Sequence, residues 1–172
     1  MKKQGLRGSA FEAAINKTIE IYREKKLALI QKIPTPITPL KLDKNTSQIK
    51  LAYFEKKSTV DYIGVVQEIP VCFDAKECQT DTFPLKNIHE HQYKFMTEFE
   101  EQGGVSFILI EFTNRNLAYY MTFKELTKFI KRSNTGLKRF KINELTEQYF
   151  IDINNKLTIP FIDKLQIDLN ER

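Results

Sequence analysis

The sequence predicts an α/β protein, one mixed central sheet flanked by helices, on three observations. Apolar residues at helical spacing open the chain, short runs rich in β-branched and aromatic residues fill its middle, and the two kinds of segment alternate instead of separating. At 172 residues the chain, 1–172, fits a single domain, which buries roughly two-thirds or more of its unfolded surface around one core.

Phe11, Ala14, Ile15, Thr18, Ile19 and Tyr22 recur at helical spacing, so about Ser9 to Lys26 is an amphipathic helix. Ser9 with Glu12 three positions later matches a capping box. Leu27 to Ile33 reads as a strand, after which Pro34-Thr35-Pro36 forbids helix and confines the chain to an edge or an extended arm. The extended runs Ile37 to Leu42 and Gln48 to Phe54 are joined by the turn-forming Asp43-Lys44-Asn45-Thr46-Ser47. Residues 31–57 therefore form a lysine-bearing hairpin with little continuous apolar surface, an element that projects from the body. Glu55 to Gly64 delivers Asp61, and Gly64 permits a bend.

The later part of Ile69 to Lys76 is a strand, and Glu77 to Pro84 a loop. His89 to Gln102 is a helix with Phe95 and Phe99 on one side, stopped by Gly103-Gly104. Val105 to Phe112 is the strongest strand, and Asn114-Arg115-Asn116 turns it into the aromatic strand Leu117 to Phe123, where Tyr119, Tyr120 and Phe123 serve core or interface. Lys124 to Arg132 is a short helix broken by Asn134-Thr135-Gly136, and Ile142 to Phe150 adds another turn or two. Residues 151–172 mix apolar side chains with Asn and Pro160 and are expected as a surface tail.

Composition excludes several classes. The chain is 41% hydrophobic and 28% charged, with no apolar run near the roughly 20 residues that span a bilayer. Met1-Lys2-Lys3 is not followed by the apolar stretch of a signal peptide, so a cytoplasmic location with no membrane contact is expected. Cys72 and Cys78, the only cysteines, lack zinc spacing and read as reduced thiols. His89 and His91 read as surface residues at a helix start. A net charge of +5 and a pI near 9.1 favour polyanionic partners. Lys32, Lys41, Lys44, Lys50, Lys56 and Lys57 crowd the stretch before Asp61. Phosphate contact explains them better than edge protection, because such an arm has little core to justify it.

Asp61 lies thirteen positions before Asp74 in the triplet Asp74-Ala75-Lys76. In a strand, Asp74 and Lys76 share a face while Phe73 and Ala75 pack on the other. Two carboxylates about 4 Å apart repel by up to about 4 kcal/mol at an effective dielectric near 20, so a fold that gathers them needs a cation. Oxygen ligands suit Mg2+ or Mn2+. Such a metal activates water and polarises a phosphoryl group, while Lys76 orients that water or stabilises developing charge. An ordinary surface ion pair is the rival reading of Asp74 and Lys76.

The runs Leu29-Ile30-Gln31-Lys32-Ile33-Pro34-Thr35-Pro36-Ile37, Tyr53-Phe54-Glu55-Lys56-Lys57-Ser58-Thr59-Val60-Asp61-Tyr62, Val71-Cys72-Phe73-Asp74-Ala75-Lys76-Glu77 and Leu85-Lys86-Asn87-Ile88-His89-Glu90-His91-Gln92-Tyr93 resemble those of RecU-type Holliday junction resolvases, within the PD-(D/E)xK nuclease superfamily. The resemblance runs from about Arg7 into the tail. It implies a restriction-endonuclease-like core, a homodimer, and a metal-dependent endonuclease making paired nicks in four-way DNA junctions during recombination and repair. The hairpin 31–57 would be a stalk entering the junction centre. Asp61 and Asp74 carry over as metal-binding acids and Lys76 as the catalytic lysine. Asp stands at 74 where the pattern also admits Glu, and Val60 stands where the superfamily name has Pro.

Glu12 matches the helical acid of related nucleases, against its reading as a helix cap. Thr59 is a further metal candidate, and Arg7 and Gln92 are further DNA contacts, Gln92 against its reading as a solvated helical residue. The resemblance also suggests a RecA-type recombinase and a branch-migration helicase as partners. Two rivals stay open: a non-cutting junction-binding regulator of a RecA-type recombinase, and a related nuclease with another DNA substrate.

Overall fold

Pairing of the strands around Asp61 and Asp74 organises the whole molecule. The structure, a computed structural model, describes residues 9–34, 37–43, 46, 48–54, 59–153 and 157–172. Along the chain run α1 (Ala10–Glu24), β1 (Ala28–Lys32), β2 (Ile37–Leu42), β3 (Ile49–Phe54), β4 (Tyr62–Val66), β5 (Ile69–Cys78), β6 (Thr82–Pro84), α2 (Glu90–Glu101), β7 (Val105–Phe112), β8 (Leu117–Thr122), α3 (Phe123–Ser133), β9 (Arg139–Lys141), β10 (Phe150–Asp152) and α4 (Ile162–Asn170).

Six strands make one mixed sheet in the order β1-β4-β5-β7-β8-β10. Only β5 and β7 pair in parallel, joined by the crossover through α2. A ladder of stacked rings, Tyr62, Phe73, Phe107 and Tyr120, crosses four neighbouring strands at centroid distances of 4.7, 4.6 and 4.3 Å. The apolar stripe of α1 lies on this face. On the opposite face, Cys72 Sγ lies 3.2 Å from Ser106 Oγ, which donates to Met96 O of α2. There α3 packs beside α2, with the Tyr93 and Thr127 hydroxyls 3.2 Å apart. The helices thus cover both faces, as the mixed-sheet reading requires.

Two differences in the first half matter for the site. Gly64 does not bend the chain; it lies within β4, where an added Cβ would sit 2.2 Å from the carbonyl oxygen of Leu29 on β1. Glycine is needed for close strand approach there. The bend comes at Gln67 and Glu68, whose φ angles of 45° and 73° make the tight turn joining Val66 to its partner Ile69. The strand β5 also continues through Glu77 and Cys78, where the polar sequence predicts a loop.

β2 and β3 pair with each other in a separate two-stranded sheet. No described residue of the hairpin contributes to the buried core. A register shift after Pro39 accommodates the residue that cannot donate to the ladder.

The expectation of a surface tail over 151–172 is corrected. Ile151 lies in β10 against β8, and Ile153, Ile159, Phe161 and Leu165 are buried. Phe161 is 0% exposed and places its ring 5.3 Å from Tyr22, 5.3 Å from Phe73 and 5.7 Å from Phe107. The Ile159 amide donates to Thr18 Oγ1 at 2.7 Å. The segment closes the aromatic ladder. Phe161→Ala is accordingly expected to cost about 3–5 kcal/mol in urea or thermal unfolding; a loss below about 1 kcal/mol would contradict this packing.

Candidate active site

β4 and β5 pair only as far as Tyr62 and Phe73. Beyond that point β5 runs on through Asp74 to Cys78, bonded to β7 on one side. The other edge opens into a fork, and Asp61 sits at its base, one residue before β4. Val60 is fully buried and Ile33 N donates to Asp61 O at 2.8 Å, so core packing and the end of β1 fix this position.

The two acids are laced together. Asp61 Oδ2 accepts from Ala75 N at 2.9 Å, and Asp61 N donates to Asp74 Oδ1 at 3.0 Å. The Asp61 side chain thereby takes the place of a missing neighbouring strand. In a strand, a residue's carbonyl projects to the same side as its amide, so the Ala75 carbonyl also faces the fork.

Asp74 is only 1% exposed. Its Oδ2 is 2.5 Å from Lys76 Nζ, yet no well-directed hydrogen bond reaches that oxygen. Burial pushes the carboxyl up to about 7, with the Asp61 charge adding to the rise and Lys76 opposing it. Asp74 and Lys76 do share the face that the alternation predicts. They form a largely buried pair, not an exposed one.

Gln92 has a place its sequence position did not reveal. It is 6% exposed, its Oε1 accepting from Lys76 Nζ at 3.3 Å and from His89 N at 3.2 Å. The side chain that caps the start of α2 also holds the lysine, so neither the solvated reading nor a direct DNA contact describes it. A signal was present: Gln at the third helical position before an apolar run is a capping-box residue.

Glu12 follows neither of its two readings in full. Its amide donates to Ser9 Oγ at 3.2 Å, half of a capping box. Its carboxylate turns to Lys32, with Oε2 2.5 Å from Nζ. Lys32 also lies 5.9 Å over the Tyr62 ring. Glu12 nevertheless borders the same open cleft of about 210 Å3 as Ser9, Phe11, Ala75, Lys76 and Glu77. A shallower hollow of about 420 Å3 beside Arg23, Lys26, Leu29 and Val65 lies at the other end of β1 and β4 and has no carboxylate.

Thr59 is exposed two residues before Asp61, and Lys41 is exposed on β2. Lys50 Nζ lies 2.7 Å from Asp43 Oδ2. Arg7, Lys44, Lys56 and Lys57 lie outside the described residues. Among the described residues no group of three or more His, Cys, Asp and Glu side chains is placed to hold a metal. The fork instead offers two carboxylates and a backbone carbonyl, an all-oxygen set suited to a hard divalent cation that keeps several waters. The buried Asp74 Oδ2, short of a hydrogen bond, fits such a cation.

The Recombination protein U family model matches residues 6–167. The Holliday junction resolvase RecU of Lactococcus lactis subsp. lactis (strain IL1403) is 40% identical over 164 residues, 92% of this chain and 76% of its own. That of Geobacillus sp. (strain WCH70) is 37% identical over 168 residues, 94% of this chain and 84% of its own. A solved Holliday junction resolvase, Hjc of Archaeoglobus fulgidus, overlaps 61% of this chain and 73% of its own with a TM-score of 0.37 and 7% identity, too little to define the fold.

Proposed function

Because the chain belongs to the Recombination protein U family, we propose that it is a Holliday junction resolvase, an endonuclease that nicks four-way DNA junctions at the Asp61, Asp74 and Lys76 fork. The observation that carries the assignment is Asp74, a carboxylate buried at the fork beside Asp61 with one oxygen short of a hydrogen bond. Lys76 Nζ, 2.5 Å away, balances one of the two carboxylates, and the second negative charge gathered at the fork calls for a further cation.

Asp61, Asp74 and the Ala75 carbonyl would hold magnesium, with manganese as a substitute, and Thr59 would add an oxygen beside Asp61. When bound, that ion supplies an activated water and a polarised phosphoryl oxygen. Lys76 contributes a fixed positive charge. Asp74 and Gln92 restrain its ammonium group, which aims it at the oxygens that gain negative charge as the phosphodiester is attacked. The pair formed by Glu12 and Lys32 ties α1 to the end of β1, where the chain leaves for the hairpin, so Glu12 positions Lys32 and is not assigned to the metal.

The hairpin is the stalk, with Lys41 and Lys50 as phosphate contacts. Paired nicks in a symmetric junction need two forks, and a twofold dimer supplies them. Purified chain with magnesium is expected to cut a mobile four-way junction at symmetric positions, to stop in chelator, and to spare linear duplex at the same concentration. Equal cutting of flaps or duplex would move the assignment to a nuclease with another substrate. Binding without nicking would make it a junction-binding regulator.

A further inference from the structure

We propose that an exposed basic strip formed by α3 and β9 holds the sugar–phosphate backbone of one duplex arm of the junction, an inference that rests on the resolvase reading above. From Lys124 to Lys141 the chain carries seven basic residues against one acid, Glu125, a net +6 in a protein whose total is +5. The segment is thus more strongly basic than the hairpin 31–57, whose six lysines face two acids, Asp43 and Glu55.

The excess is offset only in part, by Glu144 beside Arg132 and Lys141 and by Glu171 near Lys124. Glu125 turns inward, its carboxylate accepting from the Tyr119 hydroxyl at 2.6 Å. Among the described residues Arg132 is the one strip residue in an ion pair, with Glu144.

The charges share a surface. Lys124, Lys128 and Lys131 are exposed at i, i+4 and i+7, opposite the buried Leu126 and Phe129. This stripe is roughly 10 Å long at the rise of an α-helix. Arg139 and Lys141 flank Phe140, which is buried against Phe129 at 4.5 Å and Phe83 at 5.0 Å. Alternation therefore turns both cations outward. Lys138 joins them at the start of β9, its carbonyl accepting from Leu85 N at 3.0 Å.

The strip lies on the catalytic face. Asp74 and Lys76 project from the sheet on the side of Cys72, towards α2. Gln92 of α2 holds Lys76, and its neighbour Tyr93 stacks on Phe123 of α3 at 5.6 Å. A duplex leaving the fork along this face would pass α2 and reach the strip. A stripe of about 10 Å spans about three phosphate steps of one strand. A helix face kept merely soluble needs charge, but not charge of one sign over two elements.

The test is the triple variant Lys128→Gln, Lys131→Gln, Arg139→Gln in the full chain, bound to a four-way junction in chelator so that no strand is cut. The plot of log affinity against log salt is expected to be shallower by about 0.9 for each phosphate that the variant no longer neutralises. As the junction arms are shortened stepwise, the affinity ratio of wild type to variant should fall towards one, because the arm no longer reaches the strip. An unchanged slope with normal wild-type binding would overturn the strip alone. A ratio that does not depend on arm length would overturn its assignment to an arm. Absence of junction binding by the wild type would overturn the resolvase reading and the strip with it.

Discussion

Asp61→Asn and Asp74→Asn are each expected to lower junction cleavage by at least about 1,000-fold, equivalent to about 4 kcal/mol of transition-state stabilisation. Each substitution keeps the shape and one hydrogen-bonding oxygen. In Asp61→Asn the remaining side-chain oxygen can still accept from the Ala75 amide, and in Asp74→Asn it can still accept from the Asp61 amide, so the lacing of the fork survives. What disappears is one negative charge at the fork where Asp61 and Asp74 meet. A second readout separates chemistry from folding. Magnesium at about 100 times its dissociation constant should stabilise the wild type by about 2.7 kcal/mol. For a domain of this size that is a rise in Tm of roughly 5–10 °C. Both variants should lose that rise. A variant that keeps both the cutting and the rise would sink the fork as the metal site, whereas loss of cutting with the rise intact would place the ion on other residues.

Much of this site is legible in the sequence because local rules and tertiary structure agree there. The Asp-x-Lys spacing puts two charged groups on one strand face whatever the register, and the apolar run Phe107 to Ile110 marks β7, buried along its whole length, as a central strand. Legibility fails where the decisive interaction is distant. Gln92 looks like any polar helical residue until β5 brings Lys76 against it, sixteen positions earlier in the chain. The tight turn at Gln67 and Glu68 lacks the Gly or Asn that announces such turns, because strand pairing on both sides imposes the positive φ. In α4, Ile162, Leu165 and Leu169 keep helical spacing, but Pro160 and an N-terminus without a side-chain cap hide the helix. The run from Lys124 to Lys141 reads as a helix and a break. Its charge is plain in the sequence, but that its lysines share a surface depends on Phe140 docking against Phe129.

Replacing Ile37 to Phe54 with a short Gly-Ser turn is expected to abolish the preference for junctions over duplex, a loss on the order of 100-fold, or about 2.7 kcal/mol. The fold should survive. β2 and β3 pair with each other and supply no described residue to the buried core, and closing a shorter loop changes the chain entropy only slightly. Ile37, Leu40, Ile49 and Leu51 are 47–58% exposed, so excision removes apolar surface that already faces water. Stability within about 1 kcal/mol of the wild type is the expected result, with the magnesium-induced rise in Tm retained because Val60 and Ile33, which anchor Asp61, both lie outside the excised stretch. Junction binding, cutting and metal binding thus become separable: the excised chain keeps the fork and the basic strip and loses the element that distinguishes four arms from two. If the preference for junctions persisted after excision, recognition would reside in the body of the protein, and the lysines of β2 and β3 would be left with the role of keeping an exposed sheet edge from pairing with another.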